Sequence, residues 1–273
     1  MADGLVAEGL GLRALEEIIT TTTYQGDPAS EARAREVAAR CGLVFVPRTD
    51  SVARLVRLRG ADGAYVVGPA RVELRGRGLK ILVHAGTYPL VEQTGRAHPL
   101  LRAVAPLDED PPETIVDATL GLAKDAIHMA GILGARVIGL ERVRLLVCLA
   151  EDGLARLAAE GAAWSKGAAR VEPHEADARE WLAAQPARSV DVVYLDPMFP
   201  RPVKSPWGFA LFRTLADAAP LSEELLREAL RVARRRVVLK VARGAEAAAA
   251  APLPEVFTER VEGKRLDWLV ARA

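Results

Sequence analysis

The sequence contains only two cysteines, Cys41 and Cys148, and four histidines in 273 residues. The cysteines lie far apart and match no CxxC or Cys/His pattern, which argues against a disulfide framework or a zinc site and is typical of a reducing cytoplasm. No apolar run reaches the ~20 residues of a membrane span. The amino terminus lacks the basic start and cleavage site of a secretory signal. We therefore expect a cytoplasmic protein with no metal and no membrane-spanning segment.

An excess of charge of one sign is also missing, because the net charge is only +1. This excludes a polycation but leaves room for a local basic patch. Of the 37 basic residues, 31 are arginine, which pairs well with phosphate, although a genomic bias towards arginine and alanine would give the same count. Half of the residues are hydrophobic, which predicts a packed globular core.

An acidic, proline-rich stretch, "VAPLDEDPPET" (Val104–Thr114), divides the chain. Before it, short strand and helix patterns joined by glycine turns predict a small α+β domain over residues 1–105. The first ~15 residues of that domain are expected to be disordered, because terminal segments often are. After the stretch, a second domain is expected over residues 106–273.

The second domain repeats a strand–helix rhythm. Its strands are near-continuous apolar runs, which indicates a parallel sheet buried on both faces: "TIVDA", "ARVIGLE", "ARVEPHE", "SVDVVYLD" and "RRVVLKVA". The tail "EVFTERVEGKRLDWLVARA" reads as two strands with a glycine turn. We predict an α/β fold with a doubly wound, mostly parallel Rossmann-like sheet and a C-terminal antiparallel hairpin. Such a hairpin is usual for class I methyltransferases and unusual for nicotinamide enzymes.

Polar residues follow the first three strands at the edge where a ligand would bind in such a sheet. In "VDATLGLAKDA" a strand ends at Asp117, a turn contains Gly121, and Asp125 lies in the first turn of a helix, where it either favours the helix electrostatically or pairs with an ammonium group. Glu141 ends the next strand, either as a solvated charge or as an acceptor for a ribose diol. Asp177 follows the third strand, either as a helix N-cap or near an adenine.

The fourth strand ends in "DPMFPRPVKS". An Asp-Pro-x-aromatic run is typical of N-methyltransferases: the carboxylate accepts a hydrogen bond from an amino group, and the aromatic ring stacks on the base that carries it. The alternative is a proline turn with a core phenylalanine. The candidate catalytic residues are Asp196, Pro197 and Phe199. The candidate substrate-binding residues are Arg201, Lys204, Arg213 and Lys240, of which Lys240 is equally compatible with a lysine that extends to solvent from a strand end.

Five segments together resemble the ribosomal RNA small-subunit methyltransferase J family: "VDATLGLAKDA", "GLERVRLLVCLAEDGLAR", "VVYLDPMFP" with its following Lys-Ser, "RRVVLK" and "KRLDW". The resemblance implies S-adenosylmethionine (SAM) as cofactor, RNA as partner, and methylation of the exocyclic amine of a guanine in small-subunit ribosomal RNA. It places cofactor contacts at Lys124, Asp125, Glu141, Arg142, Ala176, Asp177 and Asp196, beside Asp117 and Gly121 from the strand-end pattern.

The same residues leave alternatives open. One is an amino-methyltransferase that acts on another RNA, on DNA or on a small amine. Another is a protein of the same fold that binds RNA without turnover. A nicotinamide oxidoreductase is disfavoured by the absence of a G-x-G-x-x-G run in "VDATLGLAKDA". The sequence does not indicate an oligomeric state, nor whether Asp196 takes a proton or only orients the amine.

Overall fold

The computed structural model describes residues 17–24, 27–197, 215 and 221–273. In these residues the strands form two β-sheets, one of five strands and one of seven. The amino-terminal extension predicted to be disordered lies outside the described residues.

The five-stranded sheet has the order β2-β1-β3-β4-β5. Its strands are β1 (Ile18–Thr22), β2 (Val44–Phe45), β3 (Gly63–Val67), β4 (Val72–Gly76) and β5 (Leu79–Ile81). Strand β1 is parallel to β2 and β3, whereas β3, β4 and β5 pair antiparallel. Helices α1 (Pro28–Cys41) and α2 (Val52–Arg59) connect the parallel strands, and each is followed by a glycine in the left-handed conformation that commonly ends a helix. This confirms the predicted small α+β unit.

The seven-stranded sheet has the order β11-β12-β10-β9-β6-β7-β8. Its strands are β6 (Thr114–Asp117), β7 (Arg136–Glu141), β8 (Val171–Glu175), β9 (Val190–Leu195), β10 (Ala233–Ala242), β11 (Glu259–Glu262) and β12 (Leu266–Arg272). Strands β6 to β10 are parallel, and β12 is antiparallel to both β10 and β11. The predicted doubly wound sheet with a C-terminal antiparallel hairpin is confirmed.

Helices cover both faces of the larger sheet. They are α3 (Tyr88–Thr94), α4 (Pro99–Val104), α5 (Lys124–Leu133), α6 (Arg144–Ala159), α7 (Ser165–Ala168), α8 (Ala178–Ala183), α9 (Glu223–Val232) and α10 (Ala247–Ala250). Neighbouring residues of a strand point to opposite faces, so Ile115 joins one apolar core and Val116 the other. This explains why the strands read as continuous apolar runs.

Helices α3 and α4 precede the proline-rich stretch but pack in the core of the larger sheet, where Tyr88, Leu100 and Leu101 lie with Ile127 of α5. The stretch itself is tied down, since the Arg96 guanidinium donates to the carbonyls of Pro106 at 2.6 Å and Glu109 at 2.5 Å. The boundary between residues 105 and 106 stays a prediction.

Helix α6 belongs to both units. Its residues Leu145, Leu146 and Leu149 pack with Tyr65 and Leu74 of the smaller sheet. Cys41 of α1 and Cys148 of α6 are both buried free thiols that lie in the same core. Among the described residues, no helix combines the length and the apolar content needed to cross a membrane.

Candidate active site

The candidate site lies where β6 and β9 end side by side. Asp117, the last residue of β6, is the register partner of Tyr194 in β9, and the Ala118 amide donates to the Tyr194 carbonyl at 2.9 Å. Strand order reverses between these two strands, because β7 and β8 follow β6 on one side, whereas β9 and β10 lie on its other side. A reversal of this kind opens a crevice at the carboxyl ends of the strands.

The loop from β6 to α5 contains two residues in the left-handed backbone conformation, Gly121 at φ 53° and Ala123 at φ 58°. Glycine adopts this conformation freely, whereas an alanine there is strained. The Leu120 amide donates to the Leu140 carbonyl at 2.9 Å, which holds the loop against β7. The Leu120 side chain packs so closely over Gly139 that a Cβ at that position would lie 2.5 Å from it. The loop is therefore fixed before α5 begins at Lys124.

Glu141, the last residue of β7, accepts two backbone hydrogen bonds. Its Oε2 accepts from the Gly121 amide at 3.2 Å and its Oε1 from the Val143 amide at 2.8 Å. Burial raises the pKa of Glu141, and the two amides oppose that shift. The carboxylate thus joins the end of β7 to the loop after β6.

Asp117 is buried, with only 2% of its surface exposed. Its Oδ1 accepts a hydrogen bond from the Thr119 amide at 3.1 Å. Burial raises the pKa of Asp117 to about 8, so this carboxyl is mostly protonated at neutral pH. Keeping it neutral limits the negative charge close to two further carboxylates, those of Asp125 and Asp196.

Those two carboxylates share one cation. Lys240 Nζ lies 2.7 Å from Asp125 Oδ2 and 2.8 Å from Asp196 Oδ2, and the Tyr194 hydroxyl donates to Asp125 Oδ2 at 2.6 Å. Burial lowers the pKa of Lys240, but the two carboxylates outweigh it and the net shift is upward. Burial would raise the pKa of Asp125, but Lys240 and Tyr194 hold it below its usual range. The ammonium and Asp125 are therefore both charged.

Asp196 follows β9 directly and keeps 30% of its side chain exposed. Its amide donates to Thr119 Oγ1 at 2.6 Å, so the loop after β6 also fixes the backbone after β9. Burial raises the pKa of Asp196, and Lys240 opposes the shift. The result is a partly exposed carboxylate that is oriented by Lys240, next to the first residues of α5.

Comparison with known proteins fits this arrangement. Residues 84–267 match the family model described as "Putative SAM-dependent methyltransferase". The ribosomal RNA small-subunit methyltransferase J of Chromohalobacter salexigens is 36% identical over 220 residues, which is 76% of this chain and 82% of that protein. The chain belongs to the ribosomal RNA small-subunit methyltransferase J family of SAM-dependent methyltransferases.

Two further relatives bear on the whole chain. YpiP of Bacillus subtilis, an uncharacterised protein, is 31% identical over 226 residues, which is 81% of this chain and 87% of that protein. A crystal structure of a SAM-dependent methyltransferase from Neisseria gonorrhoeae matches with a TM-score of 0.65 at 24% identity, covering 93% of this chain and 95% of that chain. The second likeness establishes the fold of both units.

The cofactor of a family member is SAM, and the strand-end residues fit it. A fixed loop leads into the first turn of α5, a carboxylate ends β7, and the partly exposed Asp125 carries a charge suited to an ammonium group. Among the described residues, no group of three or more His, Cys, Asp or Glu could hold a metal ion.

Other predicted cofactor residues lie at the same edge of the sheet. Asp177 caps α8 by accepting from the Arg179 amide at 2.8 Å, and it pairs with Arg142 at 3.7 Å. The Ala176 amide donates to the Glu141 carbonyl at 3.0 Å. The N-cap alternative for Asp177 is thus what its contacts show, and its place near an adenine stays a prediction.

The predicted residues after β9 are only partly covered. Pro197 follows Asp196 within the described residues, whereas Phe199, Arg201, Lys204 and Arg213 lie outside them. Their roles in catalysis and substrate binding stay predictions. The sequence analysis missed Thr119 and Tyr194 as site residues. Thr119 lies within the "VDATLG" segment and could have been found there, whereas Tyr194 reads as one more buried strand residue.

Proposed function

We propose that this methyltransferase transfers a methyl group to the exocyclic amine of a guanine in small-subunit ribosomal RNA. The observation that carries the proposal is the Asp196 carboxylate, oriented by Lys240 at 2.8 Å and by the Thr119 contact to its amide, at the end of β9 beside β6. The relative in Chromohalobacter salexigens that carries the name ribosomal RNA small-subunit methyltransferase J supports the choice of RNA.

On the cofactor side, we propose that Glu141 receives the ribose hydroxyls and that Asp125 receives the ammonium group of the methionine part. Asp117, Gly121 and the start of α5 would form the wall between them. Lys124, Arg142, Ala176 and Asp177 would complete the pocket, as the family resemblance implies. When bound, SAM supplies an electrophilic methyl group.

On the substrate side, the proposed role of Asp196 is to accept a hydrogen bond from the guanine amine and so aim its lone pair. Methyl transfer is an in-line displacement, and correct placement of the two reacting groups can supply most of the rate gain. Lys240 would act as a positioning residue that keeps Asp196 ionised and fixes its rotamer. Pro197 would restrict the backbone that follows, and Phe199 would stack on the base.

Proton removal is assigned to Asp196 or to water. A carboxylate whose pKa is raised by burial is a better base than an exposed one, and the methylated amine is acidic enough to lose its proton to either. Measuring the methylation rate of the Asp196→Asn variant against pH distinguishes Asp196 from water as the proton acceptor. We expect the protein to carry out this reaction in the cytoplasm.

The decisive experiment offers the protein unmodified small-subunit ribosomal RNA with radiolabelled SAM, and maps the product by mass spectrometry. We expect one methylated guanine with wild type and a loss of at least ~100-fold with Asp196→Asn, in line with the loss of a positioned catalytic group. Transfer RNA, single-stranded DNA and small amines are the competing acceptors. Methylation of one of these in preference to ribosomal RNA would reject the proposed target.

A further inference from the structure

Positive charge is concentrated in the amino-terminal unit. Residues 17–82 contain eleven arginines and lysines against seven aspartates and glutamates, although the whole chain has a net charge of only +1. A basic surface on one unit of a nearly neutral protein is a typical feature of nucleic-acid binding.

One face of the five-stranded sheet is closed by packing. Helices α1 and α6 cover it, and Val72 and Leu74 of β4 point into that core. On the opposite face, α2 covers only part of the sheet, through contacts of Val52 and Leu55 with residues of β1 and β3. Because side chains alternate along a strand, Glu73 and Arg75 of β4 point to this partly covered face.

A buried carboxylate organises the cations on that face. The Glu73 side chain is only 3% exposed, and it pairs with Arg75 and, at 3.7 Å, with Arg71. The Arg75 Nε donates to Glu73 Oε1 at 2.6 Å. The arginine side chains themselves remain 37% and 56% exposed. Each guanidinium has five N–H donors, so both keep donors available for another acceptor.

Two more cations extend the cluster. Lys80 is exposed and is the register partner of Arg75 across β4 and β5. Arg48 Nη1 donates to the carbonyl of Thr22, at the end of β1, at 3.0 Å, and the pKa of Arg48 is lowered, first by burial and then by the charge of Arg75. The nearby Asp50 pairs with Arg54 at 3.1 Å. One buried carboxylate therefore stands against four cations, which leaves the cluster strongly positive.

We propose that this basic face, formed by Arg48, Arg71, Arg75 and Lys80, binds the phosphate backbone of the RNA substrate. The inference rests on the proposed function and adds a second point of contact to it. Arginine forks match phosphate oxygens, and two of these arginines are already held in place by Glu73. The face carries no feature for reading bases, so it would bind RNA without regard to sequence.

The basic face lies within reach of the candidate active site. Gly86 lies six positions after Lys80 in the chain, and an extended chain of that length spans at most ~21 Å. Gly86 packs against Lys124, since a Cβ at Gly86 would lie 2.9 Å from the Lys124 side chain. A single strand that occupies ~4–16 nucleotides, as in other single-strand sites, can therefore contact both places.

The test uses two doubly substituted full-length proteins. Arg71→Gln with Lys80→Gln removes two charges from the face and leaves Arg75 to pair with Glu73. Arg136→Gln with Lys166→Gln is the matched control, because Arg136 is also paired with a glutamate and 54% exposed, and Lys166 is also exposed. Thermal melting of both variants establishes that they fold.

RNA binding is measured against salt concentration, with a polyuridine oligonucleotide and with unmodified small-subunit ribosomal RNA. We expect the slope of log K against log salt to fall by ~1.4 in the first variant, because each lost phosphate contact on a single strand contributes ~0.7. The control should keep the wild-type slope, and both variants should keep the wild-type affinity for SAM. An unchanged slope in the first variant, or an equal loss in both, would overturn the proposed surface.

The two proposals fail in different ways. Wild type that binds SAM and RNA but methylates no guanine contradicts the proposed function, whatever the salt slopes are. If the wild-type protein methylates the RNA and the first variant has the same KM for the RNA as the wild type, only the proposed basic face is contradicted. The expected result is a raised KM for RNA and an unchanged kcat in the first variant.

Discussion

Lys240 Nζ lies between two carboxylates, 2.7 Å from Asp125 Oδ2 and 2.8 Å from Asp196 Oδ2. Asp125 belongs to the helix after β6, and Asp196 to the segment after β9. One ammonium group therefore joins the side of the site proposed for the cofactor to the side proposed for the substrate. A change in the charge of either carboxylate will therefore affect the pKa of the other through Lys240.

Replacing the cation tests this coupling. In Lys240→Met, Asp125 and Asp196 lose their shared partner, and we expect the free energy of unfolding to fall by about 2 kcal/mol. Breaking a fully buried pair costs ~3–5 kcal/mol, and the loss is smaller here because the Asp196 side chain is 30% exposed. We also expect kcat to fall at least ~10-fold and the acid limb of the pH–rate profile to move to higher pH, because Lys240 no longer lowers the pKa of Asp196.

The matched control for that variant is Lys264→Met in the exposed turn between β11 and β12. It should change neither the unfolding free energy nor the pH–rate profile. If Lys240→Met lost stability but kept the wild-type pH–rate profile, Lys240 would have a purely structural role.

Glu141 provides a second prediction. Glu141→Gln replaces one of the two acceptor oxygens with an NH2 group, which cannot accept the hydrogen bond from the Gly121 or the Val143 amide that it faces, and it weakens the acceptor proposed for the ribose. We expect the Kd for SAM in calorimetry to rise at least tenfold, which corresponds to ~1.4 kcal/mol. Glu175→Gln is the control, since Glu175 is the register partner of Glu141 at the end of β8 but is exposed. An equal effect of both variants would contradict the role proposed for Glu141.

The strand ends were predictable from the sequence, because apolar runs between helices locate β6, β7 and β9 and place Asp117, Glu141 and Asp196 at one edge. The Lys240 bridge was not predictable. Its partners lie 115 and 44 residues away, and only the strand order brings them together. The left-handed conformation of Ala123 was not predictable for another reason. Glycine is the usual signal for such a turn, and here buried packing holds an alanine in it.

The proximity of Cys41 and Cys148 is a further case. Their separation in the sequence gave no hint of proximity, because their proximity depends on the packing of α1 on α6, the helix that both units share. Asp177 shows the opposite situation. Its sequence context allowed both a helix cap and a ligand contact, and the cap geometry is local enough to be read from the following residues.

Tyr194 supplies a third prediction. Tyr194→Phe removes the hydroxyl that donates to Asp125 at 2.6 Å, and a hydrogen bond to a charged group contributes ~1.5–3 kcal/mol. We expect a loss of stability in that range and a weaker affinity for SAM. Tyr65→Phe is the control, because its equally buried hydroxyl donates to Asp152 at 2.9 Å, away from the strand ends. Tyr65→Phe should lose stability but keep the wild-type Kd for SAM. A higher Kd for SAM in Tyr65→Phe would contradict a specific role of Tyr194.

Asp117 gives a pH-dependent prediction. Its pKa is about 8 in the folded protein against an ordinary value of 3.8, because burial disfavours the charged form. Between these values the folded state holds a proton that the unfolded state has lost, so this group lowers stability as pH rises, by up to ~1.4 kcal/mol per pH unit. Asp117→Asn stays neutral and keeps an oxygen for the Thr119 amide. The free energy of unfolding of the variant minus that of wild type should therefore grow from pH 5 to about pH 8 and then level off, as measured by guanidinium denaturation. Parallel curves for the two proteins would mean that Asp117 is ionised in the folded state at neutral pH, and a third negative charge would then face Lys240.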